Sequence, residues 1–321
     1  MSVNLYFSKI DLPNAKDFPI LKAVSMQPVS LTFQGGTNRL WLMMSKVQAA
    51  QNGSEESVQP AYPFYSDDRG ATWNIYHHGF ASAGKFKSIK SAADGTVIAA
   101  YDGNTYNLLL RLDEQPDNTM KFHQIVSLTG YNSWALGGDN LIFTYKAVQQ
   151  GYPVNSLEYY LGGSQSKGLC NTVSGHLLSI AQMDVGSDGA FYAVVNGVPN
   201  FPNVLCHILK KSTGWEVQPT TSAVQIEQVI VASAAEVYAV PHQSSLQLYF
   251  YSGESRFLPV HLYNVVGSDI ENIPGKIMQS SAISSGKMCL IMEESKQVKV
   301  GSKMVTEFTN TAYIQAPDPV D

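Results

Sequence analysis

The stretch YSDDRGATWN, residues 65–74, brings together the residue types that acid–base chemistry uses. Asp67 and Asp68 are adjacent carboxylates with Arg69 beside them, and paired carboxylates act as general acid and base when their environments differ. The same residue types also close tight turns, because aspartate accepts hydrogen bonds from turn N–H groups and Gly70 takes a positive φ without steric cost. Neighbouring carboxylates of this kind are most simply explained as turn charges that favour solubility. We therefore interpret the stretch as a turn between two strands.

Other residues with catalytic or metal-binding potential lack the spacing that such sites need. His77 and His78 are adjacent, and adjacent residues of a strand point to opposite faces. The remaining histidines show no metal-ligand spacing. The segment GGSQSKG, residues 162–168, lacks the G-x-x-x-x-G-K-[ST] spacing of a phosphate-binding loop. The sequence therefore predicts no catalytic residue, no metal site and no cofactor.

Composition indicates a soluble globular protein without a partner bound by charge. The 321-residue chain is 44% hydrophobic and has a formal net charge of −5, which argues against nucleic acid or an anionic membrane as a partner. No apolar stretch approaches the roughly 18 residues of a membrane-spanning helix, and no signal peptide is visible. We expect no membrane insertion, and a protein that is cytoplasmic as made or exported by a non-classical route.

The cysteines give little indication of a cross-linked fold. Cys170, Cys206 and Cys289 are far apart and form no CxxC pair. We interpret them as buried free thiols, with a single disulfide as the alternative.

Short apolar runs bounded by Gly, Asp, Asn and Ser predict an all-β fold. Six of these runs follow a similar turn, as in GGTNRLWLMM and GSDGAFYAVV. The residues that open these second strands lie 44 to 57 positions apart; they are Leu40, Val97, Leu141, Phe191, Val237 and Met288. Regular spacing of this length, with about four strands per repeat, is typical of a β-propeller.

We therefore predict one β-propeller domain over residues 1–321, with six four-stranded blades and seven as the alternative. The predicted blades cover 27–80, 85–128, 131–175, 178–220, 224–264 and 275–311. Residues 1–26 are predicted to supply a closing strand. The N- and C-terminal strands would then close the ring and remove an exposed sheet edge.

The turn described above also carries a recognisable pattern, because Ser66, Asp68, Gly70, Thr72 and Trp73 reproduce S-x-D-x-G-x-T-W. This pattern resembles the Asp-box, the BNR repeat motif of sialidases and of many other β-propellers. In that superfamily the box is a structural clip on the turn between the third and fourth strands of a blade, opposite the catalytic face. The resemblance implies a sialidase-like propeller fold in which these five residues have a structural role.

The arginines argue against sialidase activity. Sialidases hold the substrate carboxylate with three arginines, whose planar guanidinium groups suit bidentate binding. This chain has Arg39, Arg69, Arg111 and Arg256; Arg69 belongs to the box, and the other three are predicted on the same side as the box. The Phe/Tyr-Arg-Ile-Pro signature of the family is also missing, since DFPILKAV contains no arginine. We predict a member of the superfamily that is not a sialidase.

Loops on the face opposite the box are the predicted binding site. The connections at 46–62, 146–156 and 196–203 are long. With their shorter neighbours they are predicted to bring these side chains to one rim: Gln59, Tyr62, Asp102, Tyr106, Tyr152, Asn196, Phe201 and His242. Aromatic and amide side chains on loops of a rigid scaffold recognise sugars and peptides. The alternative is that Tyr152 and Phe201 only pin their own loops.

The sequence favours a non-catalytic propeller that binds a protein or a glycan through this rim. A divergent glycoside hydrolase or lyase, with an unfamiliar carboxylate pair on the same rim, is the alternative. A third interpretation is a structural component of a larger assembly, such as a virion or a secretion system.

Overall fold

The structure, a computed structural model, is built from β-strands. It describes residues 2–14, 16–19, 26–46, 61–76, 84–103, 107–114, 120–127, 133–137, 141–146, 156–161, 164–166, 172–173, 176–177, 179–196, 203–211, 214–220, 224–242, 247–253, 256–284, 286–300 and 303–319. None of these residues forms an α-helix, and none belongs to a helix long and apolar enough to cross a membrane. The predicted all-β class is confirmed.

The strands form successive antiparallel units in which consecutive strands are neighbours. After β1 (Val3–Lys9), the first unit contains β2 (Met26–Phe33), β3 (Leu40–Lys46), β4 (Ala61–Ser66) and β5 (Asn74–Ile75). The second contains β6 (Gly84–Ser91), β7 (Val97–Gly103), β8 (Asn107–Glu114) and β9 (Met120–Ser127). The third contains β10 (Ser133–Leu136), β11 (Leu141–Lys146), β12 (Ser156–Leu161) and β13 (Ser164–Ser166), and the small hairpin of β14 (Thr172–Val173) and β15 (His176–Leu177) follows it.

The later units repeat this plan. The fourth contains β16 (Ser179–Val185), β17 (Phe191–Asn196), β18 (Val204–Lys211) and β19 (Gly214–Pro219). The fifth contains β20 (Ile226–Ser233), β21 (Glu236–Pro241), β22 (Leu248–Tyr251) and β23 (Phe257–Val266), with β24 (Asp269–Asn272) paired to β23. The last unit contains β25 (Lys276–Ala282), β26 (Met288–Val300) and β27 (Lys303–Gln315).

The N-terminal strand β1 completes the last unit. It is antiparallel to the end of β27, with Phe7 opposite Gln315, and parallel to β23, with Val3 opposite Val260. The side chain of Phe7 is 0% exposed. Backbone hydrogen bonds therefore join the two ends of the chain, and the last unit has four strands like the others.

The second strand of each unit is buried on both faces, which explains the unbroken apolar runs of the sequence. In β3, Leu40, Leu42 and Met44 pack toward the last unit, whereas Trp41 and Met43 pack toward the second unit. Successive side chains of a strand point to opposite faces, so a strand between two neighbouring sheets is apolar at every position. β7, β17, β21 and β26 divide their side chains between two neighbours in the same way.

Buried side chains of the described residues form six clusters, each between two consecutive units, and the sixth joins the last unit to the first. The first strands contact one another in the same order, β2 with β6, β10 with β16, β16 with β20, β20 with β25 and β25 with β2. Between β6 and β10, Lys90 Nζ donates to the carbonyl of Trp134 at 3.2 Å. Sheets that pack radially around a common axis form a β-propeller. The fold is a β-propeller.

Apart from a short pairing of β6 with β4 at Phe86 and Ala61, the inner edges of the described first strands have no strand partner, and side chains of the neighbouring unit bond to several of these edges. Gln182 of β16 accepts a hydrogen bond from the N–H of Val229 in β20 at 2.7 Å and donates to the Val229 carbonyl at 3.1 Å. Gln279 of β25 accepts from the backbone of β2 at 3.1 Å, and Ser30 Oγ of β2 accepts from the backbone of β6 at 3.1 Å. All three residues directly follow a β-bulge in their own strand.

Two of the three cysteines are buried free thiols, Cys206 and Cys289. Burial raises the pKa of Cys289 to about 12, because a low-dielectric surrounding disfavours the thiolate. Cys170 lies outside the described residues. The interpretation as buried free thiols is confirmed for Cys206 and Cys289.

We expect Phe7→Ala to lower the free energy of unfolding by about 3–5 kcal/mol, because it leaves a cavity where β1 joins the last unit. Urea denaturation of the purified chain measures this loss. Lys9→Ala changes an exposed side chain of the same strand and should alter the free energy by less than about 0.5 kcal/mol. A similarly small effect of Phe7→Ala would show that β1 does not hold the ring together.

Candidate functional site

The turn between β4 and β5 is held by hydrogen bonds of the Asp68 carboxylate. Its Oδ1 accepts from the Thr72 N–H at 2.8 Å, and its Oδ2 accepts from the Thr72 hydroxyl at 2.6 Å. Ser66 Oγ donates to Asp68 at 2.7 Å and accepts from the Gly70 N–H at 2.7 Å. The bonds from Thr72, followed by the bond from Ser66, lower the pKa of Asp68 to about 2, because they favour the ionised carboxylate. The carboxylate is engaged within its own turn.

Neighbouring residues tie this turn to both ends of the chain. The indole Nε1–H of Trp73 donates to the carbonyl of Asp11 at 2.8 Å, and Nη2 of Arg69 donates to the carbonyl that ends β27 at 3.1 Å. Gly70 has a φ of +94°, and a Cβ at this position would lie 3.2 Å from the side chain of Ile10. Glycine therefore suits both the backbone conformation and the close approach. The turn acts as a clip between the first unit and the chain termini.

The arginines outside the Asp68 turn lie in three different units. Nε of Arg39 lies 2.5 Å from Asp67 Oδ1 beside the Asp68 turn. Nε of Arg111 pairs with a carboxylate of its own strand β8 at 2.8 Å, and Arg256 lies in the turn between β22 and β23. Arg39 and Arg111 are therefore paired with carboxylates of their own units.

Four of the predicted rim residues lie outside the described residues: Gln59, Tyr106, Tyr152 and Phe201. The other four belong to four different units. Tyr62 lies in β4, Asp102 in β7 and Asn196 at the end of β17, and His242 directly follows β21.

The described rim side chains have separate contacts. Tyr62 packs, partly buried, against the apolar cluster between the last and first units. Asn196 Oδ1 accepts from the N–H of Asn203 at 3.2 Å and so bridges the two ends of its own loop. His242 Nδ1 lies 3.8 Å from Glu227 Oε2. Tyr62 and Asn196 therefore have local structural contacts, whereas His242 belongs to a group of polar side chains.

This group lies where β20 and β25 begin, at one mouth of the central axis. Glu227 is the extra residue of the bulge in β20, and Lys276 Nζ lies 3.2 Å from its Oε2. Met278 is the extra residue of the bulge in β25 and is 43% exposed. We call Glu227, His242, Lys276 and Met278 the mouth group. Its charged side chains are partly solvated, so their pairing contributes little to stability and they are accessible to a partner.

The sequence pattern does not predict Glu227, Lys276 or Met278 as site residues, because their placement at the mouth depends on the pairing register of β20 and β25, which the sequence alone does not give. A weaker signal is present. In the bulges near the start of β2, β6, β16, β20 and β25 the extra residue is followed by Gln or Ser, as in VS, KS, AQ, EQ and MQ at positions 29, 87, 181, 227 and 278. A recurrent Gln or Ser near the start of each first strand is the observation that could locate the mouth.

A small polar cavity of about 30 Å³ lies on the axis, and Lys90, Gln182, Asp184 and Gln279 are among the residues that line it. Asp184 Oδ2 accepts from the N–H of Val231 at 3.0 Å. Burial raises the pKa of Asp184 to about 6, and the positive charge of Lys90 opposes that rise. Burial also lowers the pKa of Lys90. A space of this size holds one or two water molecules.

Comparison with known proteins shows likeness in fold. No protein-family model matches the chain, and no curated protein sequence matches it either. The structure of YCF48 bound to a D1 peptide has a TM-score of 0.51 at 11% identity, over 98% of this chain and 96% of that chain. YCF48 from Cyanidioschyzon merolae has a TM-score of 0.46 at 13% identity, over 96% of this chain and 98% of that chain. The first likeness supports the β-propeller fold, and at 11% identity it supports nothing more specific.

We expect Trp73→Phe to lower the free energy of unfolding by about 1 kcal/mol, because the ring stays but the Asp11 carbonyl loses its indole donor. Trp73→Ala also removes packing and should cost about 2–3 kcal/mol. Both losses are measurable by urea denaturation at neutral pH. Equal stability of Trp73→Phe and the wild type would show that packing alone holds the clip.

We expect the stability of Asp184→Asn relative to the wild type to increase as pH rises from about 4 to about 6. The folded-state pKa of about 6 exceeds the ordinary value of 3.8. Ionisation in this window is therefore harder in the folded chain, and only the wild type bears that cost. Denaturation curves at pH 4, 5, 6 and 7 measure the difference. Asparagine keeps the acceptor for the Val231 N–H.

Asp184→Ala is the matched variant, because it removes both the charge and the acceptor. Its stability relative to Asp184→Asn should be lower by about 1–3 kcal/mol at every pH. A stability difference between Asp184→Asn and the wild type that does not change with pH would contradict the raised pKa.

Proposed function

We propose that this protein is a non-catalytic recognition module that binds a protein partner through the face opposite the Asp68 turn. The proposal rests on where the exposed apolar side chains lie. In antiparallel units, connections after second and fourth strands emerge on one face, and turns after first and third strands emerge on the other. Among the described residues, the large apolar side chains with at least 43% exposure all lie at the first of these faces: Val266, Ile270, Met278, Met304, Val305 and Phe308.

Exposed apolar side chains grouped on one face are typical of a protein-binding surface, because covering apolar area is favourable in water. The mouth group adds charged side chains beside Met278, at 3.2 Å between Lys276 and Glu227. An apolar anchor next to polar groups is the usual arrangement of a protein interface. These features support a protein over a glycan as the partner.

The axial cavity is too small to enclose a small-molecule substrate. Its volume of about 30 Å³ is small beside the roughly 300–1,000 Å³ of pockets that enclose a small-molecule substrate. Asp184 and Lys90, the titratable residues with shifted pKa that line this cavity, are better explained as parts of the channel wall.

The solved structure of YCF48 bound to a D1 peptide agrees with a peptide-binding role for a propeller of this fold. We take an extended peptide segment as the first class of partner to test. Glycans are the second class to test. Binding of a glycan in place of a peptide would show that the partner is a glycan.

We also propose that the chain is one six-bladed propeller over residues 1–321 and that residues 66–73 are an Asp-box. The six clusters between consecutive units support the blade count. Pairing of β1 with β27 supports closure of the ring by both chain ends. The hydrogen bonds among Ser66, Asp68 and Thr72 support the assignment of the box.

A displayed library of random peptides, selected on the immobilised chain, tests the proposed function. We expect Lys276→Ser combined with Met278→Ser to weaken binding of the selected peptides by about 10- to 100-fold, which corresponds to about 1.4–2.8 kcal/mol for the two side chains together. Fluorescence anisotropy with synthetic peptides measures the change.

Lys210→Ser combined with Arg256→Ser is the matched control, because both residues are exposed and lie near turns on the other face. These changes should leave peptide affinity within about twofold. Failure to select any peptide, or equal losses in the two double variants, would contradict the proposal. Acid-dependent hydrolysis of a sugar conjugate that is lost on Asp102→Asn would favour a glycoside hydrolase instead.

A further inference from the structure

Strand β26 continues beyond the part that β25 covers on its axis-facing side. It has 13 residues, but β25 pairs with it only between Met288 and Glu293. On the opposite side, β27 pairs with it from Cys289 to Val300. We call residues 294–299 the free edge of β26, because none of the described residues forms a strand on their axis-facing side.

The start of β25 explains why this edge is open. Gly275 has a φ of +92°, and it lies so close to the Glu293 carbonyl that there is no room for a Cβ. Glycine is suited to both conditions. The chain reaches β26 from elsewhere at this glycine, so β25 begins with Lys276 opposite Glu293. The axis-facing side of β26 is therefore uncovered from residue 294 onward.

The backbone groups of the free edge can accept another strand. The Glu293 carbonyl lies against Gly275 and so points to the axis-facing side. Backbone groups in an antiparallel ladder alternate between the two edges of a strand, so the N–H and C=O groups of Ser295, Gln297 and Lys299 point to the same side. None of the described residues bonds to them. An edge of this kind is a template for pairing with another chain.

The free edge lies beside the mouth group. Lys276, a member of that group, is opposite Glu293 in the register, so a strand paired with residues 294–299 would continue the line of β25 outward past Lys276. On β27, which covers the other side, Met304 and Phe308 are 62% and 51% exposed. This part of the hairpin therefore extends beyond the packed sheet and is accessible to a partner.

We propose that an extended segment of a partner protein adds to the free edge of β26 as a further strand, while its adjoining residues contact the mouth group. Main-chain hydrogen bonds to Ser295, Gln297 and Lys299 then supply affinity, as in other complexes formed by strand addition. The exposed Lys296 and Lys299 would bring like charges together if two copies paired through this edge, and edge lysines disfavour such pairing. The inference rests on the proposed function, because it states how the same peptide partner binds.

Gln297→Pro tests the added strand, because it removes the N–H at the middle of the free edge. This N–H points away from β27, so pairing with β27 is retained, and proline is tolerated on a strand edge of this kind. We expect affinity for the display-selected peptides, measured by fluorescence anisotropy, to fall at least about tenfold. Gln297→Ala is the matched control. It changes the same side chain but keeps the N–H, and affinity should stay within about twofold.

A second measurement uses the unaltered chain and a selected peptide in which each residue is N-methylated in turn. Losses of at least about tenfold should recur at every second residue of the pairing segment, because backbone groups of a strand alternate between its edges.

Equal affinity of Gln297→Pro and Gln297→Ala, or a scan without alternation, overturns the added strand. A dimer that sedimentation velocity detects in the wild type and not in Gln297→Pro would show that a second copy occupies the edge, and it overturns the proposal as well. In either case, loss of peptide affinity in the Lys276 and Met278 double variant would leave the proposed function standing. If no peptide is selected, both fail.

Discussion

This propeller depends on hydrogen-bond partners for the backbone groups at the inner edges of its first strands. A strand that lines the axis has backbone N–H and C=O groups on one side with no neighbouring strand, and buried groups of this kind are costly without partners. Gln182 satisfies both groups of Val229 in the next unit. Gln279 and Ser30 make the corresponding bonds from the last unit to the first and from the first to the second. A unit is therefore satisfied only when its neighbour is in place.

This mutual dependence makes the junction of the chain ends decisive, because the last edge is covered only if the ring closes. Three contacts act at that junction. β1 pairs with β27, the indole of Trp73 bonds to Asp11, and Arg69 bonds to the end of β27. The Asp68 carboxylate organises its turn through bonds to residues at most four positions away, so the donor of Trp73 is positioned locally. A local turn thereby supports a contact between distant parts of the sequence.

The second strands are the part of the fold that sequence predicts best. Burial on both faces removes the alternation of apolar and polar residues, so β3, β7, β11, β17 and β26 begin where the apolar runs begin. Pairing partners are harder to predict. In β1, buried Leu5 and Phe7 indicate a strand, but nothing in that pattern identifies β23 as a parallel neighbour. The mouth group escapes prediction for a related reason, since Glu227 and Met278 owe their exposure to bulges that only the pairing register reveals.

Those bulges connect the stability of the ring to its surface. An inserted residue bends its strand and re-aims side chains. In β25, Gln279 then reaches the backbone of β2 while Met278, one position earlier, is turned outward and is 43% exposed. In β20 the bulge likewise leaves Glu227 partly exposed at the mouth of the axis. In β25 the residue after the bulge is held by the backbone of β2, whereas the extra residue, Met278, is exposed. The β-bulges that complete the hydrogen bonding of the inner edges therefore also place different side chains at the mouth, where a partner would contact them.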